Sequence, residues 1–530
     1  GAGAVTPFQA VTTALAATVG TGNIVGTCQA IAMGGYGAVF WMWMAALLGM
    51  IVKFSEVSLA VRFRQRDEKG DWVGGPMYYI QNGMGKKWHW LAVCYAALGA
   101  LASFGVGNLS QANSISGSVI IAVQAFRPVS QQGVVLLQWG IGILLAALTA
   151  LSLFGGIKRI GAVTEKLVPL MSLLYLAFTL TVIFGNISRV GECFAKIFEA
   201  AFVPRAVLGG AAGIALKEAV VWGLRRSAFS NEAGLGSAAI AHAASDTKSP
   251  VEQGFYGIFE VFLTTIVICT LTALTVIISN VPVNFGVKPG TELVTNAFAT
   301  VFGMKLASLF VAVAIVFFAF STILGWALYG ARCAQFLFGM KGFKIYQGLF
   351  VVVVVLGAVA SLDVVWELAD TFNGLMAIPN FIAVFALSGV VAKETRKFFS
   401  NPFVATLIMV VIGCGMGFMG LNQIWGVFGA ANQLLAGIAM LAVASWLGQV
   451  GKSNKMFFVP MVFMLAATGT SLVMTIIAKV KLIAGLVADK TAAWGDWFQM
   501  IWSIGLVVLA IILVVEGVQV LAKPKAKKEA

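Results

Sequence analysis

Two short glycine-rich stretches combine backbone freedom with polar side chains. Residues 20–23 read Gly-Thr-Gly-Asn, and residues 234–237 read Gly-Leu-Gly-Ser. Glycine lets a chain leave helical geometry and approach a ligand closely. An interrupted helix has free amide donors, which suit a carboxylate at the start of a half-helix. Its freed carbonyls, together with the side-chain oxygens of Asn23 and Ser230, suit a partly dehydrated monovalent cation. An amino acid bound with sodium would satisfy both sets.

Glu232 is an ionisable residue within an apolar stretch. Burying it in hydrocarbon costs at least about 2.5 kcal/mol, so it is a functional candidate that meets a substrate ammonium or carries a proton. Alternatively, it is a structural partner of Arg225 or Arg226, or a cap on freed backbone amides. His242 is either a proton relay or a structural hydrogen-bonding group. Three further charged residues are expected mainly to pair internally: Lys53, Glu56 and Glu260.

Three other polar stretches lie in or beside apolar segments. Residues 105–113 carry several amides, which would be costly against lipid and are expected to face a cavity. Ser321 and Thr322 offer adjacent hydroxyls as cation ligands, and Trp326 offers a pocket wall. Helical Ser and Thr also commonly bond back to their own helix, so a structural role stays open. Residues 370–374 are a candidate outer gate.

The composition shows what kind of protein positions these groups. Apolar side chains make up 60% of the 530 residues, against roughly 45–50% in soluble domains. Only 11% of residues are charged, and the mean hydropathy is +0.93, which excludes soluble, disordered and coiled-coil classes. The net charge of +14 is attributed to loops beside an anionic lipid bilayer rather than to nucleic-acid binding.

The sequence argues against a membrane enzyme and a channel. Six cysteines form no CxxC pair, and with only two histidines no nucleophile–base or metal constellation can be assembled. We therefore expect no catalytic residues and no cofactor other than a coupling ion. A channel would use a filter or charged rings from repeated subunits, whereas both glycine-rich stretches belong to one chain. A sensor built on a transporter scaffold remains an alternative, which net flux would distinguish.

Apolar runs long enough to cross a bilayer, about 20 residues each, predict fourteen membrane spans. They are residues 8–31, 38–61, 90–124, 133–154, 163–187, 206–245, 254–280, 306–337, 346–362, 366–391, 403–420, 428–448, 457–478 and 498–521.

The distribution of basic residues predicts the orientation of these spans. With the N-terminus inside, cytoplasmic loops hold most of the lysines and arginines, such as Arg62, Arg64 and Arg66. The opposite loops hold fewer, mixed with acids such as Glu192. The positive-inside rule therefore predicts a multi-pass protein of the plasma membrane, the bacterial inner membrane, with both termini in the cytoplasm.

The two glycine-rich stretches lie in spans 1 and 6, five spans apart. Because five is odd, the second span enters the membrane from the opposite face, as in inverted repeats whose paired broken helices form a midplane site. The repeats cover about residues 1–190 and 206–392. The alternative is close helix packing through small residues.

Several long strings identify a family. Residues 7–10, 16–23, 74–79, 229–237 and 320–326 resemble the alanine/glycine:cation symporters, also called sodium:alanine symporters, of the amino acid-polyamine-organocation superfamily. The resemblance extends over residues 1–398, which we interpret as a symporter core of ten spans. The helix that normally precedes residue 1 in this family is absent from the sequence, and truncation is one interpretation of its absence.

The resemblance implies an all-α, leucine-transporter-type fold with a 5+5 inverted repeat and broken helices 1 and 6. It also implies sodium- or proton-driven uptake of alanine or glycine by alternating access. The expected substrate-binding residues are Thr18, Gly20, Thr21, Gly22, Asn23, Gln111, Phe229, Ser230, Glu232, Gly234 and Trp326. The expected sodium ligands are the Val19 carbonyl, Asn23, Ser230, Ser321 and Thr322.

The C-terminal part has a different resemblance. Residues 424–436 look like the C-terminal part of carbon starvation proteins, which are similar to peptide and pyruvate transporters. Residues 399–530 are therefore expected to form an extension of about four helices. Because the candidate site lies in residues 1–398, amino acid transport is preferred, with pyruvate or short peptides as the alternative substrates.

Overall fold

The computed structural model describes residues 5–68, 70–153, 156–202, 216–400, 440, 443–444, 456, 458–485 and 494–522. The chain divides into two compact units, Gly1–Phe398 and Phe399–Ala530. The candidate site lies in the first unit, so the fold of that unit is what positions it. That the first unit is the symporter core and the second an extension of it remains a prediction.

The described part of the chain is mostly helical, as its apolar runs predict. Eight of its helices are long and apolar enough to cross a bilayer, so the chain is a multi-pass membrane protein. The helices are α1 (Pro7–Thr18), α2 (Thr27–Gly34), α3 (Gly37–Arg62), α4 (Pro76–Tyr79), α5 (His89–Phe104), α6 (Ser110–Phe126), α7 (Gln131–Leu153), α8 (Gly156–Gly185), α9 (Val190–Phe202), α10 (Leu216–Asn231), α11 (Ser237–His242), α12 (Pro250–Val261), α13 (Thr270–Ile278), α14 (Glu292–Phe302), α15 (Met304–Val359), α16 (Leu362–Ala386), α17 (Ser388–Phe399), α18 (Phe458–Ile483) and α19 (Trp494–Ala522).

Shorter elements complete the fold. A two-stranded antiparallel hairpin, β1 (Gln65–Arg66) and β2 (Trp72–Val73), follows α3. The π-helical segments are Gly22–Gly26, Ile80–Met84, Gly105–Leu109 and Phe262–Cys269, and the 3₁₀ turns are Lys86–Trp88 and Ile187–Arg189.

Spans 1 and 6 are broken, as predicted. Span 1 consists of α1, an irregular turn at residues 19–20, a π segment and α2. Span 6 consists of α10, a non-helical stretch at residues 232–236, and α11. The backbone φ angle is positive at Glu232 (56°), Gly234 (92°) and Gly236 (70°), which no helix allows.

The beginning of span 1 lies beside the end of span 6. Val5 N–H donates to the Ala244 carbonyl, and Asp246 N–H donates to the Val5 carbonyl. Two spans that meet in this way run in opposite directions through the bilayer. This arrangement is the one that an inverted repeat requires.

Some boundaries differ from those predicted. Spans 8 and 9 both lie within α15, which consists of two helices that meet at the non-helical residue Gly339 (φ 67°) instead of being joined by a longer loop. A single glycine suffices because only glycine adopts this backbone conformation without strain. Span 3 contains a π segment at Gly105–Leu109. Predicted spans 403–420 and 428–448 lie almost entirely outside the described residues, whereas spans 13 and 14 correspond to α18 and α19.

Candidate functional site

The break in span 1 is closed by Asn23. Its Oδ1 accepts a hydrogen bond of 2.9 Å from Gly20 N–H, and Asn23 N–H donates to the Gly20 carbonyl at 3.2 Å. A regular helix would direct Gly20 N–H to the Ala16 carbonyl, four residues earlier. Because Gly20 N–H turns away to Asn23, the Ala16 carbonyl loses that donor.

Oxygen atoms of spans 1 and 8 converge at this carbonyl. Thr322 Oγ1 lies 3.0 Å from the Ala16 oxygen, 3.4 Å from the Val19 oxygen and 3.0 Å from the Phe318 oxygen. Ser321 Oγ also contacts the Phe318 oxygen, at 2.8 Å. A hydroxyl carries one hydrogen, so it cannot donate to three carbonyls. The cluster has more acceptors than donors, which suits a monovalent cation.

Asn23 also joins the two broken spans. Its Nδ2 donates to the carbonyls of Ser230 at 3.3 Å and Thr264 at 3.1 Å. Ser230 Oγ lies 2.7 Å from Thr265 Oγ1 and accepts a bond from the Cys269 thiol. The structure therefore brings Asn23 and Ser230 together. Both residues are far in sequence from the hydroxyls of span 8.

The start of the second half of span 1 has an unused donor group. Thr21 N–H donates to Gln111 Oε1 at 3.2 Å, and Gln111 Nε2 is held by the Val106 carbonyl at 2.9 Å. Thr21 Oγ1 is buried and has no hydrogen-bond partner among the residues that the structure describes. A buried hydroxyl without a partner is costly, so this position is suited to a polar ligand.

Glu232 lies in the break of span 6 and faces Trp326. Trp326 Nε1 donates to Glu232 Oε1 at 2.9 Å, and Ser237 Oγ donates to Oε2 at 2.5 Å. Arg226, the structural partner considered from the sequence, forms its ion pair with Asp370 instead. Glu232 therefore accepts hydrogen bonds inside the site, and among the residues that the structure describes no cationic side chain forms an ion pair with it.

Side chains from distant spans hold the break of span 6, and the sequence did not identify this role. Glu56 Oε1 accepts bonds from Gly234 N–H at 2.9 Å and Asn380 Nδ2 at 2.5 Å. Asn380 Nδ2 also donates to the Gly234 carbonyl, and Tyr95 OH donates to the Leu235 carbonyl at 2.8 Å. The only sequence signal was the polarity of these residues within apolar spans.

Aromatic rings and glycines limit the space between the breaks. The Phe229 ring packs 4.9 Å from the Trp366 ring, and a Cβ at Gly22 would lie 2.6 Å from Phe229 Cδ1. A Cβ at Gly234 would likewise lie 2.6 Å from the Phe381 ring. These contacts leave no room for a side chain at position 22 or 234, so the backbone of each break lies directly against an aromatic ring.

Two more residues complete the description of the predicted site. Thr18 Oγ1 bonds to the Ala14 carbonyl of its own helix, at 2.8 Å. Tyr329, which the sequence did not single out, lies one turn after Trp326 with its ring 5.6 Å from the indole. Its buried hydroxyl has no hydrogen-bond partner within the described ranges. Spacing of three residues from Trp326 places both on one helix face and was the available signal.

Ion pairs lie towards both ends of the site. Arg226, which is buried against Trp222 and Trp366, pairs with Asp370. In the other direction along span 8, Arg332 Nη1 lies 3.2 Å from Asp67 Oδ2. The side chains of the site are at most 5% exposed, so the structure is closed to water around them.

Comparisons with known proteins agree with this geometry. A family model described as the sodium:alanine symporter family matches residues 1–403. A second model, described as carbon starvation protein CstA, matches residues 376–471. The first match spans three quarters of the chain and contains every residue of the candidate site.

Similar proteins include characterised and probable symporters. The sodium/alanine symporter AgcS of Methanococcus maripaludis is 43% identical over 403 residues, covering 75% of this chain and 84% of AgcS. The probable sodium/glutamine symporter GlnT of Bacillus subtilis is 38% identical, covering 74% of this chain and 78% of GlnT. Among solved structures, MhsT in complex with L-phenylalanine superposes with a TM-score of 0.53 at 14% identity, covering 72% of this chain and 89% of MhsT. This likeness shows a shared fold of the leucine-transporter type.

Proposed function

The chain belongs to the sodium:alanine symporter family, and we propose that it couples the entry of sodium to the uptake of small neutral amino acids, alanine and glycine, by alternating access. The observation that carries this proposal is the pairing of an oxygen-rich cluster with an unused polar group on opposite sides of one helix break. The cluster takes the cation, and the polar group takes the substrate carboxylate.

Sodium is held between spans 1 and 8. Its ligands are the carbonyls of Ala16, Val19 and Phe318 with the hydroxyls of Ser321 and Thr322. Hydroxyl and carbonyl oxygens are the ligands expected for a hard monovalent cation at a broken helix. Asn23 and Ser230 are proposed near the substrate and a further cation, because their oxygens lie between the two breaks.

The amino acid lies between the two breaks. Its carboxylate binds at Thr21 and Gly22, where a half-helix begins with the positive end of its dipole. Its ammonium meets the carboxylate of Glu232, and Phe229 with Trp326 bounds the side chain. The close packing of Phe229 against Gly22 supports a small amino acid such as alanine or glycine.

The same observations favour an amino acid over pyruvate. Pyruvate has no ammonium, so it would leave Glu232 without a cationic partner in direct contact at the centre of the membrane. Pyruvate or short peptides remain the alternative because residues 376–471 match the carbon starvation model. Proton coupling in place of sodium coupling is the other alternative.

Coupling follows from the position of the cation beside the break. Sodium fixes the carbonyls of Ala16 and Val19 and thereby lowers the cost of ordering Thr21 and Gly22 for the carboxylate. Thermodynamic linkage makes the effect reciprocal, so alanine raises the affinity for sodium by the same factor.

The test is uptake of labelled alanine into proteoliposomes that contain the purified full-length protein. An inward sodium gradient is compared with an equal potassium gradient, with glycine, pyruvate and a dipeptide as competitors. We expect accumulation that needs sodium and is blocked by glycine. Uptake of pyruvate or the dipeptide without alanine uptake would overturn the substrate, and equal uptake in potassium driven by a proton gradient would overturn the ion.

A further inference from the structure

A chain of buried hydrogen bonds runs from the break of span 6 to the end of α11. Lys53 Nζ donates to the Asn231 carbonyl at 3.0 Å and lies 3.6 Å from Glu260 Oε2. Glu260 Oε1 lies 2.5 Å from His242 Nε2. All of these side chains are 0% exposed. The groups belong to three different spans, so they were brought together by the fold and not by sequence proximity.

The series of hydrogen bonds continues from His242 towards the loop that the charge distribution predicts to be cytoplasmic. Gln253 Nε2 donates to His242 Nδ1 at 2.8 Å, and Ser245 Oγ donates to Gln253 Oε1 at 3.1 Å. Arg64 then donates to the carbonyls of Ser245 and Thr247, which lead to the surface. The imidazole is thus linked by one amide and one hydroxyl to the end of the membrane-embedded region.

The charges around Lys53 do not balance. Counted as ionised groups, the carboxylates of Glu56, Glu232 and Glu260 give −3 against +1 on Lys53, a formal charge of −2 if His242 is neutral. Glu232 accepts one hydrogen bond on each oxygen, and Glu56 accepts two on Oε1. Neither Glu56 Oε2 nor Glu260 Oε2 accepts a hydrogen bond within the described part of the chain, and the direct partners of Glu260 are Lys53 and His242.

Among the residues that the structure describes, no other cation next to the cluster neutralises this excess. The charged and titratable groups around the cluster are Lys53 and Glu56 on α3, Arg64 after α3, Tyr79 on α4, Tyr95 on α5, Glu232 in the break and Tyr329 on α15. Arg64 lies at the far end of the chain of bonds, and the tyrosines carry no positive charge. The nearest group that can add one positive charge is His242.

The hydrogen-bond partners of His242 allow both of its protonation states. With Gln253 Nε2 directed at Nδ1, the ring is neutral and carries its proton on Nε2. Rotation of the Gln253 amide by half a turn places Oε1 against Nδ1, which then accommodates a second proton, while Ser245 Oγ accepts a bond from the rotated Nε2. The exchange moves one proton and breaks no covalent bond other than the N–H at Nδ1.

We propose that His242, Glu260 and Lys53 form a proton-binding site, in which Nδ1 of His242 takes up a proton that is released when the amino acid binds. The substrate ammonium brings a positive charge to Glu232, which shares Lys53 and Glu260 as electrostatic neighbours. A second positive charge on His242 then becomes less favourable. The empty carrier holds the proton in place of the ammonium, and acid at the predicted cytoplasmic face weakens amino acid binding.

The proton site is tested first without any substrate. The chain has two histidines, His89 and His242, and His89 is exposed at the start of α5. In the full-length His89→Gln protein labelled with ¹⁵N-histidine, nuclear magnetic resonance reports His242 alone. The proposal requires its nitrogens to change from neutral imidazole to imidazolium within the pH range over which the protein stays folded. A single protonation state across that range would overturn the proposal.

The coupling is tested by calorimetry of alanine binding in saturating sodium, in two buffers with different ionisation enthalpies. We expect a released proton fraction above zero in the unaltered protein and in the His89→Gln control, and none in His242→Gln or Glu260→Gln. We also expect alanine affinity in the unaltered protein to fall at least about fivefold on acidification. Alanine binding with no proton release, or release that persists in both variants, would overturn the coupling.

This second test rests on the proposed function, and the two failures are distinguishable. Failure of alanine to bind at all counts against the proposed substrate, while the histidine titration still decides whether the proton site exists. Glu260→Gln keeps the size of the side chain and a hydrogen-bonding oxygen beside His242. This variant therefore tests the coupling even if His242→Gln does not fold.

Discussion

The two helix breaks occupy equivalent places in the repeats, yet they are held in different ways. The break of span 1 is closed mainly by its own neighbour Asn23 and by uncharged groups, Gln111 and Thr322. The break of span 6 is held by the carboxyl group of Glu56 and by side chains of two other spans, Asn380 and Tyr95. The first break is therefore rich in free oxygens, whereas the second is fixed by distant donors and acceptors.

This difference suits the two ends of a zwitterion and its accompanying cation. In the proposed transport cycle, the break with spare oxygens binds the cation and rearranges when the cation leaves. A break fixed by a buried carboxylate and an unusual backbone, with φ of 56° at Glu232, keeps one negative charge in place throughout. The inverted repeat supplies two similar scaffolds, and the residues on neighbouring spans make them chemically unequal.

The largest expected loss of stability comes from substituting Glu56. This residue distinguishes the two breaks most clearly, because it bonds to the break of span 6. Glu56→Ala leaves Gly234 N–H and one Asn380 amide hydrogen without an acceptor. Because each orphaned donor costs about 1–3 kcal/mol, we expect stability to fall by about 3 kcal/mol or more. The measurement is the temperature at which half of the detergent-solubilised protein loses its monodisperse peak.

Two controls sharpen this prediction. Glu56→Gln retains an acceptor and should be clearly milder than Glu56→Ala. Glu394→Ala removes the partner of a partly exposed ion pair with Arg62, 3.1 Å long, and should cost at most about 1 kcal/mol. Equal losses in Glu56→Ala and Glu394→Ala would mean that the buried carboxylate does not hold the break.

The next effect concerns the fixed negative charge itself. Glu232→Gln removes the proposed partner of the substrate ammonium and should weaken alanine binding by about 30-fold, which corresponds to about 2 kcal/mol. Sodium binding without alanine should change little, because the oxygens of spans 1 and 8 are untouched. Equilibrium binding of labelled alanine in saturating sodium measures the effect. Full sodium-driven transport by Glu232→Gln would make this residue structural.

A smaller effect is expected at the oxygen-rich break. Ser321→Ala combined with Thr322→Ala removes both hydroxyls and should raise the sodium concentration for half-maximal uptake about tenfold, or about 1.4 kcal/mol. Thr322→Ser keeps an oxygen and should restore most of the affinity. The matched control is Thr181→Ala, whose exposed hydroxyl bonds only to its own helix. Unchanged sodium dependence in the double variant would remove these hydroxyls from the cation site.

The sequence predicted the oxygen-rich break better than the charged one. Glycine spacing marked both breaks, and the adjacent Ser321 and Thr322 pointed to a cation, because these signals are local. Thr322 illustrates why the structural alternative was also reasonable, since it bonds to Phe318 in its own helix as well as to Ala16. The roles of Glu56 and Tyr95 depend on how α3 and α5 are rotated towards span 6.

Such rotations are decided by packing between spans, which spacing along one helix does not encode. The same limit applies to the link between Lys53, Glu260 and His242, whose members were expected only to pair internally or, for His242, to act as a relay. Gly339 is a different case, because one residue in a left-handed conformation replaced the predicted loop between spans 8 and 9. The family resemblance supplied the fold, while the fixed charge network required the structure.

The smallest expected effect tests whether the fixed break matters to the ligand or only to stability. Tyr95→Phe removes one hydrogen bond to the Leu235 carbonyl, worth about 1 kcal/mol, and should lower alanine affinity roughly fivefold. Tyr346→Phe removes a part-buried bond, to the Ala100 carbonyl at 2.7 Å. We expect similar losses of thermal stability in the two variants but a loss of alanine affinity only in Tyr95→Phe. Equal affinities would show that the break of span 6 tolerates loosening, and the contrast between the two breaks would then be one of stability alone.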